Sequence, residues 1–256
     1  AVTFANGMNN RVVIWKISLE VSKDTLERYC TCLSEDEKSR ANRFRFEEDK
    51  RRFVVSRGVL RHLLGRQFSQ PAQAVQFCYG KYGKPFVGQF GEAADKSQAD
   101  CDFHFNLSHS GELALCVLGY QRVGVDIEKV KPIKRLEGMM ARCLSDSELA
   151  EMKAEGTGDR SRSFLERWTC KEAYLKAIGL GLTQSMQAVE VQLVPPRLIH
   201  IPVDQASDWH LYRLALPDDY VGALVVAGEV TLQMCQWRHE EAFEGSPIRL
   251  LPNDNH

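Results

Sequence analysis

Two carboxylates, Asp126 and Glu128, stand two residues apart in an otherwise apolar run, Val123 to Glu128 (VGVDIE). In a strand, residues i and i+2 point to the same face, so the two acids project side by side. Anions held that close in partly apolar surroundings repel one another and are poorly solvated, and a cation resolves the conflict. A second segment, Trp168 to Gly179, has helical character and offers a third carboxylate, Glu172. Lys176 follows one helical turn later on the same face. The chemistry open to such a set is cation binding with an ammonium alongside.

The elements that must position these residues can be read in chain order. Arg11 to Leu19 alternates as a first strand, with Val13, Trp15 and Ile17 on one face. Ser34 and Glu37 form a capping-box pattern that starts a charged helix through Lys38, Arg40 and Arg43. A longer helix is expected from Asp49 to Arg66. Phe53, Leu60, Leu63 and Leu64 form its apolar stripe, and Arg51, Arg52, Arg57 and Arg61 form what reads as a solvated face. Gln76 to Cys78 is a short strand, and the glycines and proline of Tyr79 to Phe86 mark a turn carrying Lys81 and Lys84. Gly88 to Asp100 is polar and reads as a surface loop. Phe103 to Leu107 and Leu113 to Leu118 alternate as a hairpin around a polar turn, Ser108 to Gly111. The acid-bearing strand comes next.

Beyond it, Ser145 and Glu148 repeat the capping box and begin a helix to Glu155, which Gly156 to Gly158 break. Arg160 to Ile178 is a strong helix closed by Gly179 and Gly181, with Phe164, Leu165, Trp168, Leu175 and Ile178 on its apolar face. Val189 to Val194, Trp209 to Leu216 and Tyr220 to Ala227 read as strands, the last extended by Val230 to Trp237. Residues 1–9 read as a tag remnant or frayed start, with Met8 a candidate initiator, and 241–256 as a loose tail. The division that follows is an N-terminal half, 11–122, and a C-terminal half, 123–240.

A chain of 256 residues with 44% hydrophobic content is ample for a core. Its net charge of −1 and pI of about 6.7 provide no global basic field, so unselective nucleic-acid binding is not expected. Eight cysteines occur with no CxxC pair and no zinc spacing, as free thiols in a reducing cytosol would. No apolar run approaches the roughly 20 residues that span a bilayer, and the expectation is a cytoplasmic protein without a membrane anchor.

P-loop, GxGxxG, HExxH and GxSxG motifs are missing, which removes the commonest nucleotide, zinc-protease and hydrolase readings. Three carboxylates with lysines, arginines and a histidine around them remain. Oxygen ligands suit Mg²⁺, and Mn²⁺ is also accepted; such an ion bridges carboxylates to substrate phosphates. On the residues alone, Asp126 and Glu128 could instead end a salt-bridged strand. Glu172 and Lys176 could be an ordinary helix pair worth about 0.2–0.5 kcal/mol. Trp168 reads as core.

Gly83 Lys84 Pro85, Phe105 to Ser110 (FNLSHS), Gly124 to Glu128 (GVDIE), and Trp168 with Lys171 Glu172 Ala173 and Lys176 together resemble the Sfp-type 4′-phosphopantetheinyl transferases. The resemblance runs in order from about Arg11 to Trp237. It implies an α+β fold built as a pseudo-twofold pair of similar halves, monomeric, with coenzyme A and Mg²⁺ in the cleft between them. It implies that Asp126, Glu128 and Glu172 ligate the metal and that Lys176 holds a phosphate oxygen. Ser108 and His109 would face the 3′-phosphate side, Lys84 and Pro85 the adenine, and Arg52 and Arg40 would be nucleotide-binding. The reaction implied is transfer of 4′-phosphopantetheine from coenzyme A to a serine of an acyl or peptidyl carrier protein, releasing 3′,5′-ADP. Glu172 is the first candidate for the base and Glu148 the second, although the capping box accounts for Glu148 without chemistry. The carrier would be a small acidic helical domain docking near the disordered-looking segment around Ala141 to Gly158. A non-catalytic module that binds coenzyme A or a carrier on the same fold is the alternative.

Overall fold

The computed structural model describes residues 10–87, 103–155, 158–179, 185–203 and 208–243. The start at 1–9, the loop at 88–100, Cys101, Gly156, Gly181 and the tail beyond 243 lie outside the described residues.

The first half holds β1 (Arg11–Ser18), α1 (Lys23–Cys32), α2 (Glu35–Ala41), α3 (Glu47–Gln67), β2 (Phe77–Tyr79), β3 (Pro85–Val87), β4 (His104–Ser110) and β5 (Leu113–Gly119). There follow β6 (Val123–Lys129), α4 (Leu136–Cys143), α5 (Asp146–Ala154), α6 (Arg160–Ile178), β7 (Glu190–Leu193), β8 (Pro196–His200), β9 (Trp209–Arg213), β10 (Tyr220–Ala227), β11 (Thr231–Gln236) and α7 (His239–Phe243). Two larger sheets result, β11-β1-β5-β4 and β6-β10-β9, with β2-β3 and β7-β8 as separate hairpins.

Strand alternation determines how these layers stack. Along β1, Val13, Trp15 and Ile17 pack on the α3 residues Val59, Leu60 and Leu64. Val12 and Ile14 face the other way, into a core shared with Val123, Val125 and Ile127 of β6 and Leu224 and Val226 of β10. The outer face of the second sheet carries Ala223 and Val225, which pack on Ala173, Tyr174 and Ala177 of α6. The order is helix, sheet, sheet, helix: a pseudo-twofold pair of α+β halves. Both sheets are buried on two faces, which is why β1 and β10 read as nearly continuous apolar runs. The sequence-based division at 122/123 falls between β5 and β6. After β10, however, the chain crosses back, and β11 adds parallel to β1, with Thr231 opposite Arg11. An edge that would otherwise be open is covered in this way.

Several expectations need correction. Ser108, His109 and Ser110 belong to β4 rather than to a turn, since Ser108 pairs with Leu115 and Ser110 with Leu113. Only Gly111 and Glu112 turn the chain, with Gly111 at φ +56°. Arg57 and Arg61 are buried, not solvated: Glu37 lies 3.2 Å from Arg57 Nε and 2.7 Å from Arg61 Nε. Helical periodicity cannot separate a solvated arginine face from one covered by α2. The segment from Ala141 to Gly158 is largely helical, formed by α4 and α5. The expected tail opens with α7, on the first-half core through Ala242 and Phe243. Among the described residues the cysteines Cys30, Cys32, Cys78, Cys116, Cys143, Cys170 and Cys235 are free. No described helix is long and apolar enough to cross a membrane.

Candidate functional site

Close packing of α6 on β6 brings the acids together. A Cβ on Gly124 would lie 2.1 Å from Ala173 O and 2.3 Å from Ala177 N, so only glycine lets the helix backbone sit directly on the strand. Glu172 and Lys176 of α6 are thereby laid beside Asp126 and Glu128. Lys176 Nζ reaches Asp126 Oδ1 at 2.6 Å, Ser108 Oγ at 3.0 Å and Val125 O at 3.3 Å.

The two sheets meet along β4 and β6, an edge strand of each, and side chains bridge the join. Val125 N–H donates to Asn106 Oδ1 at 2.9 Å, Ser108 Oγ to Asp126 Oδ1 at 2.8 Å, and Ser110 Oγ to Glu128 Oε2 at 2.7 Å. Lys129 N–H donates back to Ser110 Oγ at 3.1 Å. Sequence reasoning gave no role to Asn106 or Ser110. Their spacing with Ser108, every second residue, is the signal that would have found them, because period-two polar residues share one face of a strand.

Electrostatics mark the acids as a strained cluster. Burial, then the neighbouring Asp126, raises the pKa of Glu128, against a lowering contribution from the Ser110 hydrogen bond. Burial and then Asp126 likewise raise that of Glu172. Asp126 Oδ2 is buried with no hydrogen-bond partner. Among the described residues no three His, Cys, Asp or Glu side chains are gathered tightly enough to hold one ion as they stand; the Lys176 ammonium lies on Asp126 instead. A hard cation with oxygen preference nevertheless fits the donor set, because it would satisfy the orphaned oxygen and offset the mutual repulsion.

His109, at the end of β4, has its pKa lowered by burial and then by Lys176 and Arg52. Lys84 is bound inward: its Nζ donates to Ala177 O at 3.1 Å and Val123 O at 3.3 Å, and burial lowers its pKa to about 8. Pro85 opens β3 opposite Tyr79. Arg52 is committed to carboxylates, with Nη2 2.6 Å from Glu112 Oε1 and Nη1 3.2 Å from Asp49. Arg40 is exposed, with its guanidinium 5.3 Å from the centre of the Phe53 ring.

Glu148 is placed differently from the other three acids. Its Oε2 accepts from Ser145 N–H at 2.8 Å and pairs with Lys171 Nζ at 2.6 Å, and its Oε1 accepts from Val191 N–H at 3.0 Å. Both oxygens are occupied in a pair that is essentially fully buried. The residue forms the expected capping box with Ser145 and also ties α5 to α6 and β7. Trp168 packs between the apolar clusters on either side of α6, as expected.

The fold is thus a two-sheet pair whose junction gathers acids and cations from both halves. Residues 122–225 match the 4′-phosphopantetheinyl transferase superfamily, and residues 18–119 match the N-terminal region of 4′-phosphopantetheinyl transferases. The chain is 36% identical over 222 residues to the 4′-phosphopantetheinyl transferase HetI of Nostoc sp., covering 86% of this chain and 90% of that one. It is 30% identical over 173 residues to the 4′-phosphopantetheinyl transferase Sfp of Bacillus subtilis, covering 68% and 72%. A solved holo-(acyl-carrier-protein) synthase from Bacillus anthracis in complex with coenzyme A (3′,5′-ADP) overlaps 43% of this chain and 96% of its own, at 28% identity and a TM-score of 0.37. The chain belongs to the 4′-phosphopantetheinyl transferase family.

Proposed function

We propose that this protein transfers the 4′-phosphopantetheine group of coenzyme A to a serine hydroxyl of an acyl or peptidyl carrier protein, in a Mg²⁺-dependent reaction that releases 3′,5′-ADP. The observation that carries the reading is the convergence of Asp126, Glu128, Glu172 and Lys176 on one junction, with Asp126 Oδ2 buried and unpartnered. Asp126, Glu128 and Glu172 would hold the ion, and Mn²⁺ would serve in its place. Bound there, the cation supplies charge neutralisation at the pyrophosphate.

The chain's own residues account for the other steps. Lys176 exchanges its contact with Asp126 for a phosphate oxygen, while Ser108, whose hydroxyl donates to Asp126, lines the 3′-phosphate side. Burial and flanking cations keep His109 neutral near pH 7, so it offers one N–H to the nucleotide phosphate. Lys84 and Pro85 shape the adenine end through the β2-β3 hairpin, and Arg40 extends the cationic rim. Glu172, whose pKa is raised, takes the proton of the attacking serine. The serine oxygen forms a new bond to the phosphorus that carries pantetheine, and the bond from that phosphorus to the bridging oxygen breaks. Both electrons leave with 3′,5′-ADP. The α4–α5 face of the second half is the expected carrier-docking surface.

The test is mass spectrometry of carrier domains incubated with the enzyme, coenzyme A and Mg²⁺. A gain of one phosphopantetheine on the carrier serine is expected, with loss of at least about a hundredfold in rate for Asp126→Ala. Full activity of that variant would remove the acid-site argument. Coenzyme A binding with no mass gain on any carrier would favour the non-catalytic alternative.

A further inference from the structure

Glu112 lies outside every motif that marks this site, yet it is among the most heavily tied residues of the junction. Its Oε1 accepts from Arg52 Nη2 at 2.6 Å and Arg52 Nε at 3.2 Å, and its Oε2 from Arg51 Nη2 at 2.8 Å. Its carbonyl accepts from Leu19 N–H at 2.9 Å, just beyond β1. Its own N–H donates to Tyr220 Oη at 3.1 Å, on β10 of the second half. One turn residue is therefore fixed to α3, to the end of β1 and to the opposite sheet.

The side chains of Tyr220 and Lys129 close over that turn. A Cβ on the adjacent Gly111 would lie 2.8 Å from Tyr220 Oη and 2.9 Å from the Lys129 side chain. One residue earlier, Ser110 bonds both Glu128 and the backbone of Lys129, and Ser108 holds Asp126. Moving the turn along β6 moves both serines away from both acids. Arg52, for its part, has Nε and Nη2 on Glu112 and Nη1 on Asp49. A guanidinium so occupied acts on the protein before it acts on a nucleotide.

We propose that Glu112 is a positioning residue for the acid pair: clamped by Arg51 and Arg52, it sets the register of β4 against β6 and so places Ser108 on Asp126 and Ser110 on Glu128. Arg52 then works through Glu112 and is not a direct nucleotide contact. The proposal rests on the reading of Asp126 and Glu128 as metal ligands. It deepens that reading by naming what holds them.

The sign of a metal-affinity change separates the clamp from simple electrostatics. Removing the positive charge of Arg52 should tighten cation binding if charge alone matters, whereas a broken clamp loosens it. Mn²⁺ binding to the full chain without nucleotide, followed by electron paramagnetic resonance, is to be measured for wild type, Arg52→Ala, Glu112→Gln, Glu112→Asp and the Arg52→Ala/Glu112→Gln double variant. The clamp predicts at least a threefold loss of Mn²⁺ affinity in each single variant, no further loss in the double variant, and partial recovery in Glu112→Asp. Thermal melting monitors folding; should Arg52→Ala fail to fold, Arg52→Gln takes its place. Unchanged or tighter Mn²⁺ binding in the Arg52 variant overturns the proposal. So would losses that add in the double variant. A wild type that binds no Mn²⁺ removes the metal reading itself, an outcome visible before any variant is compared.

Discussion

Lys176 Nζ of α6 lies 2.6 Å from Asp126 Oδ1 of β6, and the two residues are brought within reach by a strand glycine that gives α6 no side chain to ride over. The same oxygen accepts from Ser108 of β4, so one carboxylate oxygen collects a bond from each half of the molecule. The other, Oδ2, has none. On the proposed reading, the Lys176 ammonium would be free for a phosphate oxygen when a cation is held by the carboxylates.

Gly124→Ala should damage both stability and activity. The added methyl would meet the α6 backbone at 2.1 Å, and backbone of a packed helix cannot yield as a flexible side chain would. Overpacking of this kind costs about 1–3 kcal/mol, a fall of roughly 2–12 °C in Tm. Scanning calorimetry checks the first effect, and carrier modification below the melting range checks the second. An unchanged Tm would show that α6 does not rest on β6 at this point.

The acid cluster should stabilise the metal-free protein when protonated. The folded pKa values of Glu128 and Glu172 are raised, by burial first and by Asp126 next. Their contribution to stability is therefore full below the unfolded carboxylate range and is lost as pH rises through the raised values. At neutral pH the ionised pair is a cost, so Glu172→Gln should raise the Tm measured in EDTA while abolishing transfer. Added Mg²⁺ should raise the wild-type Tm more at pH 7.5 than at pH 5, because protons compete for the same oxygens. A Mg²⁺ shift independent of pH would count against these ligands.

Glu148 and Lys171 should behave as a structural pair. Removing one partner of a buried pair leaves an uncompensated charge and costs about 3–5 kcal/mol. Glu148→Ala should lower the denaturant midpoint by a corresponding amount. Glu148→Gln, which keeps the shape and an acceptor, should retain transfer within about tenfold of wild type at temperatures where it is folded. A catalytic base replaced by an amide would typically lose about a hundredfold or more. Single-turnover rates on a carrier domain decide between the two roles.

Lys84 carries a pH signature of its own. Burial depresses its pKa to about 8, below the unfolded lysine value of about 10.4. A depressed group contributes stability that is present above the unfolded value and is lost as pH falls through the folded one. Wild type should accordingly gain stability between about pH 8 and 10 from this residue, and Lys84→Met should flatten that gain in urea titrations. Identical slopes for the two proteins would place the ammonium in water and not against Ala177 O and Val123 O.

The legible parts of this chain were those with a local signal. Both capping boxes are present, with Ser34 N–H donating to Glu37 and Ser145 N–H to Glu148. The α6 helix spans the residues its apolar periodicity marks, Arg160–Ile178. Asp126 and Glu128 do share a face of β6, as strand alternation requires. Less legible was anything dependent on what lies opposite. Arg57 and Arg61 looked like a wet helix face because their buried partner, Glu37, sits on another helix. Ser108 to Ser110 looked like a turn because small polar residues have high turn propensity, and only the backbone pairing with β5 and the acids of β6 makes them a strand.

By itself, the sequence determined which residue types are available for the proposed chemistry and the local element of most of them, because side-chain type and the periods of helix and strand are written in neighbouring residues. Tertiary structure alone decided which of them meet. It put Glu148 in a buried pair with Lys171, turned Lys84 inward to Ala177 and Val123, and bound Arg52 to Glu112. The reason is physical: a charge is placed by whichever opposite charge or hydrogen-bond acceptor repays its desolvation, and that partner can lie anywhere along the chain.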